Sequence, residues 1–380
     1  MATQPAHLVH GMGNAMEAPT WPAITADEAN AVIARFPAAG RLTGLHWHSP
    51  RPFSAATLAH TTQGAFLLKR HHRSVRSIEG LAEEHAFIAH LAGAGMSVPE
   101  VMATADGATA VTSGAWSYEL HRAAPGADLY RDSLSWTPFA SHSHAHAAGV
   151  ALANLHEAAR SFSAPARRPQ PLVASFTILP AADPLAAAEA YVAARPALAA
   201  FLGSKPWRRE LARLFEALGQ GLAPLLAEQT PLWTHNDWHP SNLLWASDNS
   251  VRTAFDFGLA DRTCGVHDIA TAIERTAVRW LDLGQGADDI GDPEAALALL
   301  AGYATTVPLG RATIAAVVRL LPLVHLEFAL SEIDYFTAVV EDPASAVLAW
   351  DGYLIGHAEW FLSDAARSFL RAIEAGAPPQ

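Results

Sequence analysis

Cysteine is almost absent from this chain of 380 residues, in which Cys264 is the only one. A single cysteine excludes an intrachain disulfide, and nothing else indicates an oxidising compartment, so the cytoplasm is the simplest location. Basic residues are also scarce, with 25 lysines and arginines against 37 acidic residues and a net charge of −12. This balance disfavours a nucleic-acid partner, because such binding depends on attraction to phosphates.

A secretory signal and a membrane span are also missing. Residues 1–21 lack the basic start and continuous apolar run of a signal peptide, so we expect a loose leader there. The most apolar stretch, residues 313–331, contains Arg319, His325 and Glu327, each costly in hydrocarbon. It is predicted to be a buried helix, and we expect no membrane association. What the chain has is apolar residues, 51% of the total, enough for a sizeable core.

The first third of the chain has the pattern of a small sheet with one helix. Residues 41–69 form short apolar and β-branched runs broken by turn residues, which is typical of successive strands. Residues 77–94 repeat apolar side chains at helical spacing. Further strands are predicted at 101–104, 109–112 and 116–121.

Beyond Gly126, Ala- and Leu-rich stretches predict helices. These stretches are residues 142–159, 184–200, 207–226, 269–281 and 311–338. A cluster of loops and strands at 232–257 interrupts them, and residues 376–380 are expected to fray. The prediction is an α+β fold in three parts: a leader over 1–40, a small antiparallel-sheet lobe with one main helix over 41–122, and a larger, mostly helical lobe over 123–375.

The interrupting cluster carries the residues that indicate chemistry. It contains His235-Asn236-Asp237-Trp238-His239-Pro240-Ser241-Asn242, and Phe255-Asp256-Phe257-Gly258 follows. Phosphoryl transfer to an alcohol needs a carboxylate that orients the hydroxyl and accepts its proton, and hard oxygen ligands for magnesium. His-x-Asp, an Asn five residues after that Asp, and then a strand ending in Asp-Phe-Gly is the order found in kinase catalytic loops. If the two aspartates only capped turns, this order would be a coincidence.

On these motifs the chain resembles the aminoglycoside phosphotransferase and choline kinase family, which shares the two-lobed protein-kinase fold. The resemblance covers the chain from about residue 41 to the helices after Asp268. It implies transfer of the γ-phosphate of ATP to a small-molecule hydroxyl, with Asp237 as the catalytic base and Asn242 and Asp256 as Mg²⁺ ligands. It also implies that His235 positions the loop and Asp268 braces it. A satisfied buried histidine and a helix N-cap stay open as alternatives for these two residues.

The same resemblance implies nucleotide contacts in the small lobe. Lys69 is expected to bind the α- and β-phosphates, with Glu84 as its partner and Glu83 as the second choice. No Gly-x-Gly-x-x-Gly precedes Lys69, so backbone amides and the Ser54 hydroxyl would cover the phosphates. A hinge whose backbone bonds the purine, without separating ATP from GTP, is expected at three consecutive residues, Leu120, His121 and Arg122.

The acceptor is expected to be a small molecule, because a long helical insertion at 184–226 stands where protein kinases have a short connection. Acids on the later helices, among them Glu332 and Asp334, favour an amine-bearing alcohol or sugar, such as an aminoglycoside, choline or homoserine. Residues proposed to line the acceptor pocket are Trp238, Glu274 and Glu327, with a loop-holding role for Trp238 and a solvated helix face for each acid as the open alternatives.

Two other functions remain as alternatives. The first is a nucleotide-binding regulator with the kinase fold and no turnover, against which the intact Asp237, Asn242, Asp256 and Lys69 argue. The second, a protein kinase, is disfavoured by the insertion and by the lack of Ala-Pro-Glu after Asp256. The alternating His142, His144 and His146 do not predict a transition-metal site, since only the first and last share a helix face. Neighbouring pairs such as His71 and His72 give no stronger signal.

Overall fold

The structure, a computed structural model, describes residues 7–11, 15–286 and 289–377. The start of the predicted leader and the last three residues of the predicted frayed tail therefore lie outside the described residues. The chain divides into two compact units, Met1–Gly126 and Ala127–Gln380.

The N-terminal unit is built on a five-stranded antiparallel sheet with strand order β3-β4-β5-β7-β6. Its strands are β3 (Leu42–His48), β4 (Ala55–Thr61), β5 (Gly64–His72), β6 (Ala110–Ser113) and β7 (Trp116–Arg122). A short ribbon of β1 (Val9–His10) and β2 (Met16–Glu17) precedes the sheet, and helix α2 (Ile78–Gly93) follows β5. The predicted strand at 101–104 is reduced to one bridge, between Val101 and His121.

The N-terminal unit also contains a helix that the sequence did not predict, α1 (Ala26–Ile33). Thr25 and Glu28 form a capping box at its start. Its apolar side and the following Phe36 are buried in the same core as Phe66 and Leu68 of the sheet. The predicted leader over 1–40 is thus too long, since residues 24–39 help to form the core.

The C-terminal unit is mostly helical, as predicted. Its helices are α3 (His142–Ala159), α4 (Pro184–Ala193), α5 (Pro196–Leu202), α6 (Trp207–Leu218), α7 (Leu222–Ala227), α8 (Gly265–Thr276), α9 (Pro293–Ala304), α10 (Arg311–Leu320), α11 (Leu326–Ala338), α12 (Pro343–Leu348), α13 (His357–Trp360) and α14 (Asp364–Gly376). A π-helical stretch, Ala349–Gly356, joins α12 to α13. Several helices begin at a side chain that accepts a backbone N–H, as at Ser141, Asp183, Asp292, Asp342 and Ser363.

Four short strands form two antiparallel pairs within this unit. They are β8 (Pro231–Thr234), β9 (Leu243–Trp245), β10 (Val251–Ala254) and β11 (Asp261–Cys264). β8 pairs with β11, and β9 pairs with β10 as a hairpin. The segment between β8 and β9 holds the predicted catalytic loop, and β11 runs directly into α8.

Helices α3 and α9 approach so closely that their backbones touch. A Cβ atom at Gly149 would lie 2.0 Å from the Leu299 carbonyl oxygen, and one at Gly302 would lie 1.9 Å from the His146 carbonyl oxygen. Only glycine fits at these two positions.

The apolar stretch from Arg311 to Ala338 is long and apolar enough to cross a membrane by length and composition. In the structure, 78% of its most apolar window is buried. A 3-10 turn at Leu321–Leu323 divides it into α10 and α11. The stretch is buried, as predicted from its sequence.

Candidate active site

Asp268 on α8 fixes the backbone of the predicted catalytic loop. Its carboxylate is fully buried and accepts the His235 N–H at Oδ2 (2.8 Å) and the Asn236 N–H at Oδ1 (2.8 Å). His156 Nε2 lies 3.0 Å from Oδ2. Burial opposes ionisation, but the interactions with His156 and His235 together outweigh it and lower the pKa of Asp268. The N-cap of α8 is Cys264, so the alternative that Asp268 caps this helix is wrong.

His235 links the loop to the segment that precedes Asp256. Its Nδ1 accepts the N–H of Asp237 (3.2 Å), so its Nε2 carries the proton and donates to the Phe255 carbonyl oxygen (3.0 Å). The ring is fully buried. The two interpretations of this histidine are therefore compatible, since it is a satisfied buried residue whose bonds hold the loop.

Two non-glycine residues of the site have left-handed backbone conformations, Asn236 with φ of 61° and Asp256 with φ of 60°. Such conformations are concentrated at functional sites, where the surroundings impose them. The Asn236 side chain is held by hydrogen bonds to Thr234, Thr263 and His267. The strained turn at Asn236 sets the direction in which the chain presents Asp237.

The Asp237 side chain is 14% exposed and lies beside Arg275, whose Nη2 is 3.0 Å from Oδ1. Its Oδ2 accepts a hydrogen bond from Asn242 Nδ2 (2.9 Å), and His239 Nε2 is 3.5 Å from Oδ1. Burial opposes the charge, but the Arg275 guanidinium and His239 hold the pKa of Asp237 well below its usual range. The carboxylate is thus ionised at neutral pH.

Arg275 is a site residue that the sequence analysis missed. It is buried on α8, with its guanidinium over the Trp136 ring at 4.4 Å. It stands seven residues after Asp268, a spacing that puts both side chains on one face of a helix. That spacing was the available signal.

Asn242 and Asp256, the predicted magnesium ligands, stand at the same end of the β9–β10 hairpin. Leu243 is in register with Ala254, and the Phe255 N–H donates to the Asn242 carbonyl oxygen (3.0 Å). Asn242 Nδ2 also donates to the Asp237 carbonyl oxygen (2.9 Å), so Oδ1 is the atom of this amide that could accept a metal ion. An amide oxygen and a carboxylate are hard ligands of the kind that Mg²⁺ prefers.

The predicted phosphate-binding residue, Lys69, lies on β5 in register with Glu119 of β7. Its Nζ is 3.5 Å from Glu119 Oε1, and this acid was not among the predicted partners. Glu84 is buried within α2, and Glu83 beside it is half-buried. Ser54 lies in the connection from β3 to β4, directly before β4.

The predicted hinge residues are part of strand β7. The Leu120 carbonyl oxygen accepts the Met102 N–H (2.8 Å), and the Arg122 N–H donates to the Glu100 carbonyl oxygen (2.8 Å). The sheet thus already uses two of the backbone groups that were expected to bind the purine. The next N–H, that of Ala123, donates to Ala65 (2.9 Å).

The structure does not support two of the three predicted acceptor contacts. Trp238 is fully buried and its indole N–H donates to the Ala148 carbonyl oxygen (3.2 Å), so no face is left for a ligand. The Glu327 carboxylate accepts four hydrogen bonds, from Ser175, from Thr177 twice and from Ile178. Both residues hold the fold.

Glu274, the third candidate, is buried beside His357, whose Nδ1 is 2.8 Å from Glu274 Oε1. With Arg275, His325 and Tyr353 it lines a cavity of about 20 Å³, room for roughly one water molecule. Burial raises the pKa of Glu274 to about 7 and that of Glu332 to about 8. At neutral pH Glu332 is thus largely protonated and Glu274 about half protonated, which weakens the case for an acidic wall.

The braced loop presents an ionised aspartate beside an amide and a carboxylate at one end of a hairpin, which are the kinds of group that phosphoryl transfer requires. Residues 53–315, well over half of the chain, match the model of the phosphotransferase enzyme family. The chain belongs to this family, and the predicted family, α+β fold class and enzyme class are confirmed.

Solved structures show the same fold. The microcompartment-associated aminopropanol kinase is 18% identical over 92% of this chain and 100% of its own, with a TM-score of 0.59. An amicoumacin kinase, in complex with AMP-PNP, Ca²⁺ and Ami, is 16% identical over 94% of this chain and 98% of its own, with a TM-score of 0.55. An aminoglycoside phosphotransferase from Alicyclobacillus acidocaldarius is 18% identical over 91% of this chain and 96% of its own, with a TM-score of 0.51. No curated protein sequence matches the chain.

Proposed function

We propose that this enzyme transfers the γ-phosphate of ATP to the hydroxyl of a small molecule, with Asp237 as the base and Asn242 and Asp256 as Mg²⁺ ligands. The observation that carries the proposal is the Asp237 carboxylate, ionised beside Arg275 and tied by Asn242 to the hairpin that bears Asp256. Bound magnesium would neutralise the phosphate charge. The protein takes its substrates in the cytoplasm.

Asp237 acts mainly by orientation. It accepts a hydrogen bond from the acceptor hydroxyl, whose oxygen forms the new bond to the γ-phosphorus while the bond from that phosphorus to the ADP oxygen breaks. The hydroxyl proton passes to the Asp237 carboxylate. A carboxylate whose pKa is held low is a weak base, which suits a loose transition state in which the hydroxyl proton is removed late. Arg275 keeps the carboxylate charged and in place.

The N-terminal unit supplies the nucleotide contacts. Lys69 binds the α- and β-phosphates, positioned by Glu119 across the sheet and by Glu84 from α2, while Ser54 and nearby backbone amides cover the phosphates. His121 pairs with Leu67 of β5 and is therefore also part of the sheet. Since Leu120 and Arg122 also bond within the sheet, the purine is recognised by backbone that follows Ala123. The AMP-PNP and Ca²⁺ bound to the similar amicoumacin kinase support a nucleotide and a divalent cation as partners.

An amine-bearing alcohol or sugar remains our proposal for the acceptor. The similar structures include an aminopropanol kinase and an aminoglycoside phosphotransferase, whose names describe acceptors of this class. Glu274, the third predicted acceptor residue, is buried at the wall of the small cavity beside Arg275, which has room for roughly one water molecule, so the acceptor class is supported by the similar structures and not by Glu274.

The protein is incubated with Mg²⁺, ATP and a panel of amino alcohols, sugars and aminoglycosides. The release of ADP and the mass of the product are measured. We expect at least one acceptor to gain a phosphate, and Asp237→Asn to lower kcat by roughly 10² to 10⁴ while nucleotide affinity stays within about threefold. Asp248→Asn, in the exposed turn of the same hairpin, is the matched control and should behave like the parent.

A parent protein that binds Mg²⁺-ATP but phosphorylates nothing in a broad panel would favour the nucleotide-binding regulator. Equal rates for the parent and Asp237→Asn would remove Asp237 from the mechanism. Incorporation of phosphate into an unrelated protein substrate, with none into small molecules, would favour the protein kinase.

A further inference from the structure

A cluster of histidines surrounds the buried carboxylate of Glu119 in the N-terminal unit. Glu119 is only 1% exposed at the middle of β7. His71 Nε2 on β5 lies 2.9 Å from its Oε1, while His85 Nε2 on α2 and His121 Nε2 on β7 lie 2.7 and 2.9 Å from its Oε2. These ring nitrogens come from three separate elements and converge on one carboxylate.

One ring nitrogen of the cluster, His121 Nε2, makes no hydrogen bond among the described residues. Oε1 accepts from His71 and also faces Lys69, and Oε2 accepts from His85. His121 Nε2 is close to Oε2, but its angle does not allow a hydrogen bond, and it has no other hydrogen-bond partner within the described part of the chain. His121 is 6% exposed, and a buried polar atom without a hydrogen-bond partner destabilises the protein.

The contact between His121 Nε2 and Glu119 Oε2 is short but not aligned as a hydrogen bond, as is usual for two atoms that are ligands of the same metal ion. One ligand atom each from His85, Glu119 and His121 can be chosen so that all three lie within 4.8 Å of one another. Around a tetrahedral zinc ion with bonds of about 2.0 to 2.2 Å, neighbouring ligand atoms are about 3.3 to 3.6 Å apart. The 2.7 and 2.9 Å contacts would thus have to lengthen by roughly half an ångström to one ångström to admit the ion.

A second shell is in place for His85. Its Nδ1 lies 2.8 Å from the Thr109 hydroxyl oxygen. In the structure Nε2 donates to Glu119, but in a metal-bound state the proton would be on Nδ1 and donate to the Thr109 oxygen. Nε2 would then present its lone pair to the metal, which is how metal-bound histidines are usually oriented.

We infer that His85, Glu119 and His121 form a binding site for a divalent transition-metal ion, with Zn²⁺ as the ion that fits best. Two imidazoles and one carboxylate with a fourth position for water is a zinc ligand set, and it differs from the hard oxygen ligands proposed for magnesium in the C-terminal unit. Lys69 Nζ is 3.5 Å from the other Glu119 oxygen. If Lys69 binds nucleotide as proposed, zinc at Glu119 will weaken the Lys69–Glu119 attraction and change nucleotide affinity.

Metal binding is tested on the full chain without nucleotide, so its outcome does not depend on the proposed kinase activity. The protein is stripped with a chelator, and then Co²⁺ is added to follow its visible absorption and Zn²⁺ is titrated against a chromophoric chelator. We expect one ion per chain and a Co²⁺ spectrum of low coordination number. His121→Ala should weaken Zn²⁺ binding at least about 100-fold. It should still fold, because the lost nitrogen makes no hydrogen bond among the residues that the structure describes.

The matched control is His142→Ala. His142 is an exposed histidine near Asp292 (3.4 Å) and Glu294 (3.7 Å), the kind of surface group that takes up adventitious metal. It should keep the stoichiometry and affinity of the parent. A second variant, Thr109→Val, removes only the hydroxyl behind His85 and should weaken Zn²⁺ binding about 10-fold.

The inference is overturned if the stripped parent gives no Co²⁺ absorption band at one equivalent. It is also overturned if His121→Ala and Thr109→Val both bind Zn²⁺ as the parent does while His142→Ala loses the ion. Should His121→Ala fail to fold, the parent spectrum and Thr109→Val decide the question.

Discussion

Two glutamates on α11 have different surroundings although both are buried. The Glu327 carboxylate accepts four hydrogen bonds from residues 175–178. Glu332 Oε2, by contrast, has no hydrogen-bond partner among the described residues. Burial raises the pKa of Glu332 to about 8, against the weaker opposing effect of Arg275. Glu332 is therefore protonated in the folded protein at pH 7 and ionised in the unfolded chain.

Glu332→Gln should flatten the dependence of stability on pH. A pKa raised by folding stabilises the protein fully only below the unfolded value of 4.5, and this contribution is lost as the pH rises to about 8. The parent should thus lose about 1.4 kcal/mol per pH unit through this group, a loss that the neutral glutamine avoids. Urea unfolding at pH 6, 7 and 8 measures the difference between the two proteins.

The control is Glu327→Gln. Its amide cannot accept at both ends, so it should be less stable than the parent at pH 6, where Glu332→Gln should already be more stable than the parent by about 2 kcal/mol. A constant difference between Glu332→Gln and the parent from pH 6 to pH 8 would show that Glu332 is ionised in the folded state.

At the scale of single residues, the sequence predicts those site residues that lie close together along the chain. Asp237, Asn242 and Asp256 follow from a short motif with fixed spacing, and Asp268 from its position after that motif. Arg275 and Glu119 were missed because their partners are set by a helix face and by strand register, respectively. Trp238 and Glu327 were assigned to the acceptor from residue type, which carries no information on burial.

At the scale of elements, the contact of α3 with α9 depends on two glycines within helices, Gly149 and Gly302. Glycine weakens a helix by about 1 kcal/mol relative to alanine, so its presence here reflects the close approach of the backbones. The sequence predicted both stretches as helical from their composition, but not this contact. Helix α1 was missed because its eight residues give little periodic signal.

Gly302→Ala should destabilise the C-terminal unit by several kcal/mol, since a Cβ atom 1.9 Å from the His146 carbonyl oxygen would force the helices apart. Thermal unfolding followed by circular dichroism measures the loss. Gly93→Ala is the matched control, because a Cβ there meets no atom of the described chain within 4 Å. It should be neutral or stabilise by up to about 1 kcal/mol. Equal midpoints for the two variants would mean that α3 and α9 separate at little cost.

At the scale of the whole molecule, each unit contributes a different part of the proposed reaction. The N-terminal unit carries Lys69, and the C-terminal unit carries Asp237 and the two proposed metal ligands. The division between the units falls after Gly126, a few residues beyond the hinge that the sequence predicts at 120–122.

Nucleotide should stabilise the parent against unfolding, by about 2.7 kcal/mol when Mg²⁺-AMP-PNP is present at 100 times its Kd. Lys69→Met should lose roughly half of this gain or more, because it removes the cation proposed to bind the phosphates. Lys205→Met is the control, since Lys205 is the only other lysine in the chain and pairs with Asp351 in the C-terminal unit. The shift in melting temperature on adding nucleotide is the measurement. Equal shifts for both variants would argue against phosphate binding by Lys69.

The Asp268 carboxylate accepts two consecutive backbone amides of a loop, those of His235 and Asn236. Loop amides usually exchange their hydrogens with water quickly, whereas these two are sealed against a buried acid on a helix. We therefore expect these two hydrogens to exchange as slowly as the amides of α8, which hydrogen–deuterium exchange would measure. Asn236, which precedes the proposed base Asp237, would then move on the slow time scale of the buried core and not on that of the surface loops.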